Sequence, residues 1–208
     1  GGITRPTVAG YLLFGREPQR EFPEAFIRVL RHQGTVRGSG ARSGVLDDRR
    51  IEGALTLQIE GAKSWLKKNV PAPLRLGRSG RFRTSSLIPE DAWLEGVVNA
   101  VVHRSYSMAG DHTRIEVFDN RIEFESPGRL PGLVRLENIR STRFARNPRI
   151  ARGLTDLGYG RELGEGVDRM FEEMDSAGLP EPSFRHLPAS LHLTLVAEPE
   201  LAQILADL

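Results

Sequence analysis

The stretch that most constrains the fold is "PEDAWLEGVVNAVVHRSY", residues 89–106. Pro89 sits at a first helical position, with Glu90 and Asp91 in the first turn where the helix dipole favours acids. The helix that follows has two unlike sides. At 100° per residue, Trp93, Leu94, Val97, Val98, Val101 and Val102 form a bulky apolar half. Glu95, Asn99 and His103 repeat at four-residue intervals on the other half, beside Ala92, Gly96 and Ala100. A solvated face carries several long charged side chains, whereas between Ala92 and Val102 only Glu95 is one. The apolar half wants burial, and something other than bulk water is expected to cover the polar half. Gly96 in mid-helix costs about 1 kcal/mol relative to alanine, as expected where a ligand or another backbone comes close.

The surrounding pattern supplies the other elements. "EAFIRVLRHQG" predicts a strand around Phe26 to Leu30, and "TVRGSGARSGVLDD" a Gly/Ser/Arg loop. Asp47 or Asp48 is expected to cap a long helix with apolar positions Ile51, Leu55, Ile59, Ala62 and Leu66, stopped by Pro71 and Pro73. "LRLGRSGRFRTSSLIPED" reads as a loop or irregular hairpin. Ile115/Val117 and Ile122/Phe124 alternate across Asp119-Asn120, predicting a β-hairpin. Asn147 and Pro148 start a helix ending at Gly158, and Val167, Met170, Phe171 and Met174 lie on a short amphipathic helix ending near Gly178. "SLHLTLVAE" alternates like a last strand and "ELAQILADL" reads as a terminal helix. Helices and hairpins without a βαβ rhythm indicate an α+β, two-layer fold.

Composition narrows the chemistry. The 208 residues contain no cysteine, which removes disulfides, thiolate nucleophiles and cysteine metal sites. No apolar run reaches membrane-span length and no signal peptide is evident, so a cytoplasmic location without membrane attachment is expected. The net charge is only +2, and the lysines are Lys63, Lys67 and Lys68 alone. Attraction to nucleic acid would therefore need local arginine clusters. Two stand out: Arg78, Arg81 and Arg83 around Phe82, and Arg140, Arg143, Arg146, Arg149 and Arg152 at every third residue.

On the polar helix face, the chemistry these residue types allow is a polyphosphate site. Mg²⁺ keeps several waters while bridging phosphates, so one asparagine carbonyl suffices as protein anchor. A carboxylate one turn away could orient water for in-line attack. A buried polar stripe bonded to neighbouring strands explains the same spacing. "LGYGRELGEGVDRM" adds Gly158, Gly160, Gly164 and Gly166 ahead of a helix, a pattern compatible with an anion site and with simple caps. It is neither a G-x-G-x-x-G after a strand nor a P-loop, so no helicase motor is indicated.

In order, "LEGVVNAVVHRSY", "IEVFDNRIEFESPGRLP", "RNPRIARGL" and "LGEGVDRM" resemble the C-terminal ATPase-like domain of RecG-related, Schlafen/AlbA-associated bacterial transcriptional regulators. This is a divergent branch of the GHKL superfamily of gyrase, the heat-shock chaperone, histidine kinases and MutL. The resemblance is strong over roughly residues 90–196. It implies a two-layer α/β sandwich with a mixed sheet packed on helices over residues 86–208. Residues 1–85 would be a smaller connecting α/β subdomain following an AlbA-type DNA-binding domain outside this sequence. It implies ATP and Mg²⁺ as ligands, DNA as a partner through that other domain, a homodimer as an open option, and ATP hydrolysis as open.

Carried over by position, the resemblance makes Glu95 the water-activating carboxylate and Asn99 the Mg²⁺ ligand. His103, Ser126, Gly128, Arg146, Gly164 and Gly166 become the nucleotide-binding positions, the last two as a phosphate-facing lid. Two positions depart from the family. Ser126 stands where an aspartate holds adenine, with Glu125 and Asp119 as nearby carboxylates, and Ser105 replaces the aspartate of a His-Arg-Asp-Tyr stretch. Two other functions stay open: a nucleotide-free dimerisation or partner-binding scaffold, and direct nucleic-acid binding through the arginine-rich loops.

Overall fold

The computed structural model describes residues 5–38, 44–76, 82–84, 86–159 and 165–197. The elements are α1 (Val8–Phe14), β1 (Ile27–His32), β2 (Val45–Ile51), α2 (Leu55–Asn69), β3 (Leu74–Leu76), β4 (Phe82–Thr84) and α3 (Glu90–Val102). They continue with β5 (Thr113–Val117), β6 (Arg121–Pro127), α4 (Pro148–Asp156), α5 (Gly166–Ser176), β7 (Ser183–His186) and β8 (Ser190–Val196). Six strands form one mixed sheet in the order β2-β1-β5-β6-β8-β7, and β3 and β4 make a separate hairpin.

The β1–β5 pair is parallel, and such a pair needs a long crossover; α2 and α3 lie in the connecting chain. The remaining pairs of this sheet are antiparallel. Alternation sends Ile27, Val29, Ile115, Val117, Ile122, Phe124, Leu193 and Leu195 to one face, where they join one apolar cluster with residues of all five helices. The opposite face is polar. There Glu116 meets His32 at 2.7 Å and Arg37 at 2.9 Å, and Glu123 meets Arg121 at 2.6 Å and His192 at 3.4 Å. Burial pulls the Glu123 carboxyl upward, but the His192 and Arg121 partners outweigh it and hold it at about 2. The architecture is therefore α+β, two layers with a mixed sheet, and β1 and β2 continue the sheet that residues 113–196 build.

Several expectations are met closely. The β5–β6 hairpin turns at Asp119-Asn120, Pro148 opens α4, and Gly158 and Gly178 adopt positive φ after α4 and α5. Others need correction. Residues 45–51 are strand β2, so neither Asp47 nor Asp48 caps a helix, and α2 begins at Leu55. Asp48 instead pairs with Arg28 of β1 at 2.6 Å, Asp47 accepts from the Trp65 indole at 2.8 Å, and the Ile51 side chain packs against Gly61. The charges suggested a helix start but serve an edge strand, where charged side chains are well tolerated. Pro89 is the residue before α3, with extended ψ of 137°. β7 is a strand where none was predicted. The expected terminal helix over 200–208, like Arg78 and Arg81, lies outside the described residues.

Candidate functional site

The site grows from the close seating of α3 on β6. A side-chain carbon at Gly96 would lie 2.8 Å from the Phe124 ring, so the mid-helix glycine exists to let this aromatic in. The Phe124 ring approaches Gly96 from the sheet, and Gly96 also lines the cavity that opens beside it. One turn further, Asn99 and His103 line a cavity of about 290 Å³. Its floor is Phe124 and Ser126 of β6 with Leu191 and Leu193 of β8. Its roof is the irregular segment from Gly128 to Ala145, closed at the sides by α4 and by Val167 of α5. Among the described residues, no carboxylate lines it and the only arginines there are Arg129 and Arg143.

Two polar groups at this wall are unspent. Neither the Asn99 side-chain nitrogen nor His103 Nδ1 has a hydrogen-bond partner among the described residues, although both atoms are buried. Buried polar atoms are normally paired, so the exceptions mark where a ligand would be welcome. His103 ends α3, its N–H donating to the Asn99 carbonyl at 2.9 Å. Burial, assisted by the Arg146 charge, depresses its imidazole to about 4, so it is neutral at pH 7.

Ser126 takes its place with its proton already committed. Its hydroxyl donates to the Ala100 carbonyl at 2.7 Å, which leaves only oxygen lone pairs for the cavity. Gly128 is fixed twice over. It has φ of +114°, and an added carbon would sit 3.0 Å from Ser105 Cβ. Glu125 and Asp119 do not reach the cavity: Glu125 pairs with Arg114 at 2.9 Å and accepts from Ser190 at 2.7 Å, and Asp119 caps Gly34 at 2.9 Å.

Glu95 and Gly166 meet each other beside the cavity rather than in it. A carbon added at Gly166 would lie 2.5 Å from Glu95 Oε2 and 3.5 Å from the Asn99 amide nitrogen, so the start of α5 covers this carboxylate at a distance that a larger residue would force Glu95 to yield. Arg169 of the same helix stands 3.6 Å from Glu95 and 3.3 Å from Asp91. Burial raises the Glu95 carboxyl above its ordinary value, against the pull of Arg169. Gly164 lies outside the described residues.

Arg146 is a brace. Its guanidinium donates to the His103 carbonyl at 2.9 Å and to the Arg129 carbonyl, and it is not among the lining residues. Asn147 adds to this, its amide donating to the carbonyls of Val102 at 2.7 Å and Arg104 at 2.8 Å. Together they satisfy the carbonyls that a helix C-terminus leaves open and tie the roof segment to the end of α3. The structure thus brings Asn99, His103, Ser126 and Gly128 to one cavity, and sets Glu95, Gly166 and Arg146 around it. Val134, Ile139, Phe184 and Arg143 also line it. Sequence reading passed over the apolar ones because nothing separates their pattern from ordinary core, and Arg143 because it sits in a regular arginine series.

Residues 110–195 match the family described as "Putative ATP-dependent DNA helicase recG C-terminal". The match includes Ser126, Gly128 and Gly166 and begins after α3, so Glu95, Asn99 and His103 lie outside it. Among solved structures, the DIP2311 protein from Corynebacterium diphtheriae is similar, with a TM-score of 0.77 and 24% identity over 90% of this chain. The chain spans 37% of the length of that protein. No curated protein matches. No helix among the described residues is long and apolar enough to cross a membrane. Over residues 110–195, which run from just before β5 into β8, the chain is therefore similar in sequence to an ATPase-like domain of the RecG C-terminal kind.

Proposed function

We propose that the cavity binds an adenine nucleotide with Mg²⁺, and that the domain is the nucleotide-responsive module of a DNA-binding transcriptional regulator. The observation that carries this reading is the Asn99 amide, buried at the cavity wall with its nitrogen unpartnered among the described residues. An amide with no bond to lose can turn its oxygen toward a cation at little cost. No cluster of three acidic or histidine side chains that could hold a metal occurs among the described residues. That suits Mg²⁺, which takes most of its ligands from water and phosphate. Asn99 would hold it, and the ion would supply charge neutralisation for the phosphates.

The size and polarity of the cavity fit the rest of the ligand. Small-molecule sites span about 300–1,000 Å³, and a volume of about 290 Å³ accommodates a base and sugar with the phosphates at the mouth. Phe124, Leu191 and Leu193 supply apolar surface for a flat ring. Ser126, able only to accept, favours a base that presents an amino group over one that presents a carbonyl. Residues of the chain offer a weaker case for turnover. Burial moves Glu95 toward the range a general base needs, yet Gly166 covers it and Arg169 pairs with it. Binding is therefore the primary activity, and hydrolysis requires α5 to lift from Glu95.

Calorimetric titration with ATP, with and without Mg²⁺, tests the reading. The unaltered protein binds ATP more tightly when Mg²⁺ is present, and Asn99→Ala abolishes that difference. A protein that binds no ATP, or an Asn99→Ala variant with the full Mg²⁺ response, sinks it.

A further inference from the structure

We propose that Arg143 is the phosphate-binding residue of this site and that it reaches the ligand by exchanging its present partner, Glu165. The inference rests on the adenine-nucleotide reading of the cavity and names the residue that selects for a charged tail. Among the described residues, Arg129 and Arg143 are the arginines that line the cavity. Arg129 directs a guanidinium nitrogen to the Pro188 carbonyl at 3.3 Å. Arg146 spends its donors on two backbone carbonyls. Among the described residues, Arg143 pairs with Glu165 alone, through one contact of 3.3 Å between side chains that are 61% and 52% exposed. Exposed ion pairs of this kind are weak and are readily exchanged. A phosphate offers the same guanidinium two oxygens in a bidentate fork.

The neighbouring pair shows why the exchange need not dismantle the roof. Arg140 also bridges the roof to α5, 3.2 Å from Asp168, but its guanidinium additionally lies 4.5 Å above the Phe171 ring. Among the described residues, these two ion pairs join roof and helix, one anchored also by stacking and one by charge alone. A phosphate that takes Arg143 releases Glu165, which is the residue just before Gly166 and hence before the glycine that covers Glu95. Phosphate binding at Arg143 therefore loosens the start of the helix that now shields the carboxylate.

The test compares ATP and adenosine affinities, with Mg²⁺, for four proteins: unaltered, Arg143→Ala, Glu165→Gln and Arg140→Ala. The ratio of the two affinities isolates the contribution of the phosphates. Arg143→Ala lowers the ratio about tenfold, the effect of losing one hydrogen-bonded charge contact. Glu165→Gln raises the ratio by removing the competitor. Arg140→Ala weakens both ligands alike and so does not move it. An unchanged ratio in Arg143→Ala, or a lowered one in Glu165→Gln, overturns the assignment while leaving the cavity reading intact. If neither adenosine nor ATP binds the unaltered protein, both fall together. Thermal unfolding of each variant separates loss of fold from loss of contact.

Discussion

Replacing Gly96 by alanine puts the α3–β6 contact under direct test. The new methyl carbon would stand 2.8, 3.0 and 3.1 Å from three atoms of the Phe124 ring. Real contacts between such carbons lie nearer 3.5–4.0 Å, so helix and strand must separate by several tenths of an ångström or the ring must tilt. Phe124 is 2% exposed and is held in β6 between two paired strands, which leaves it little room. Overpacking of this kind costs about 1–3 kcal/mol, and the better helix propensity of alanine returns about 1 kcal/mol. The expected outcome is a net loss of up to about 2 kcal/mol, at its upper limit roughly 4–8 °C in Tm for a chain of this size. Urea and thermal unfolding of Gly96→Ala, Phe124→Leu and the double variant would measure it. The double variant should lose less than the sum of the two singles, because the smaller side chain makes room for the methyl. A Gly96→Ala protein more stable than the original, or strict additivity in the cycle, would refute the claim that this glycine exists for the ring.

Two further outcomes follow from the same geometry. His103 has a depressed folded-state pKa of about 4, so the unfolded chain binds the extra proton first as pH falls. The stability it contributes is complete above the unfolded value of about 6.5 and is lost as pH falls through 4. His103→Gln should flatten the urea-derived stability profile between those limits, and an unaltered slope would remove His103 as its source. Asn147→Ala leaves the Val102 and Arg104 carbonyls without their side-chain donor. It should cost about 1–3 kcal/mol in thermal unfolding, and a neutral effect would mean that the brace between roof and α3 contributes nothing.

Elements set by local rules were legible in the sequence. The two-sided pattern of α3, the alternation of β5 and β6 about Asp119-Asn120, and Pro148 at the start of α4 each state their structure within a few residues. β2 was not legible, because Asp47, Asp48, Arg49 and Arg50 look like a helix start until β1 is beside them, supplying Arg28 to Asp48. β7 is a short edge strand with mostly exposed residues, which carries almost no hydrophobic signal.

The site divides in the same way. That Asn99 and His103 face something other than bulk water followed from the lack of long charged side chains around them. That Phe124 explains Gly96, that α5 covers Glu95, and that Arg146 braces the roof while Arg143 lines the cavity depend on contacts between distant segments. The family resemblance correctly named an ATPase-like domain of the RecG-related kind, but it could not say which arginine lines the cavity.

The most direct measurement is a crystal structure of the protein grown with ATP and Mg²⁺. The account predicts the base against Phe124 and Ser126, and the ion about 2.0–2.1 Å from the side-chain oxygen of Asn99. A cavity closed by its own apolar side chains, or a nucleotide bound elsewhere with Asn99 untouched, would contradict it.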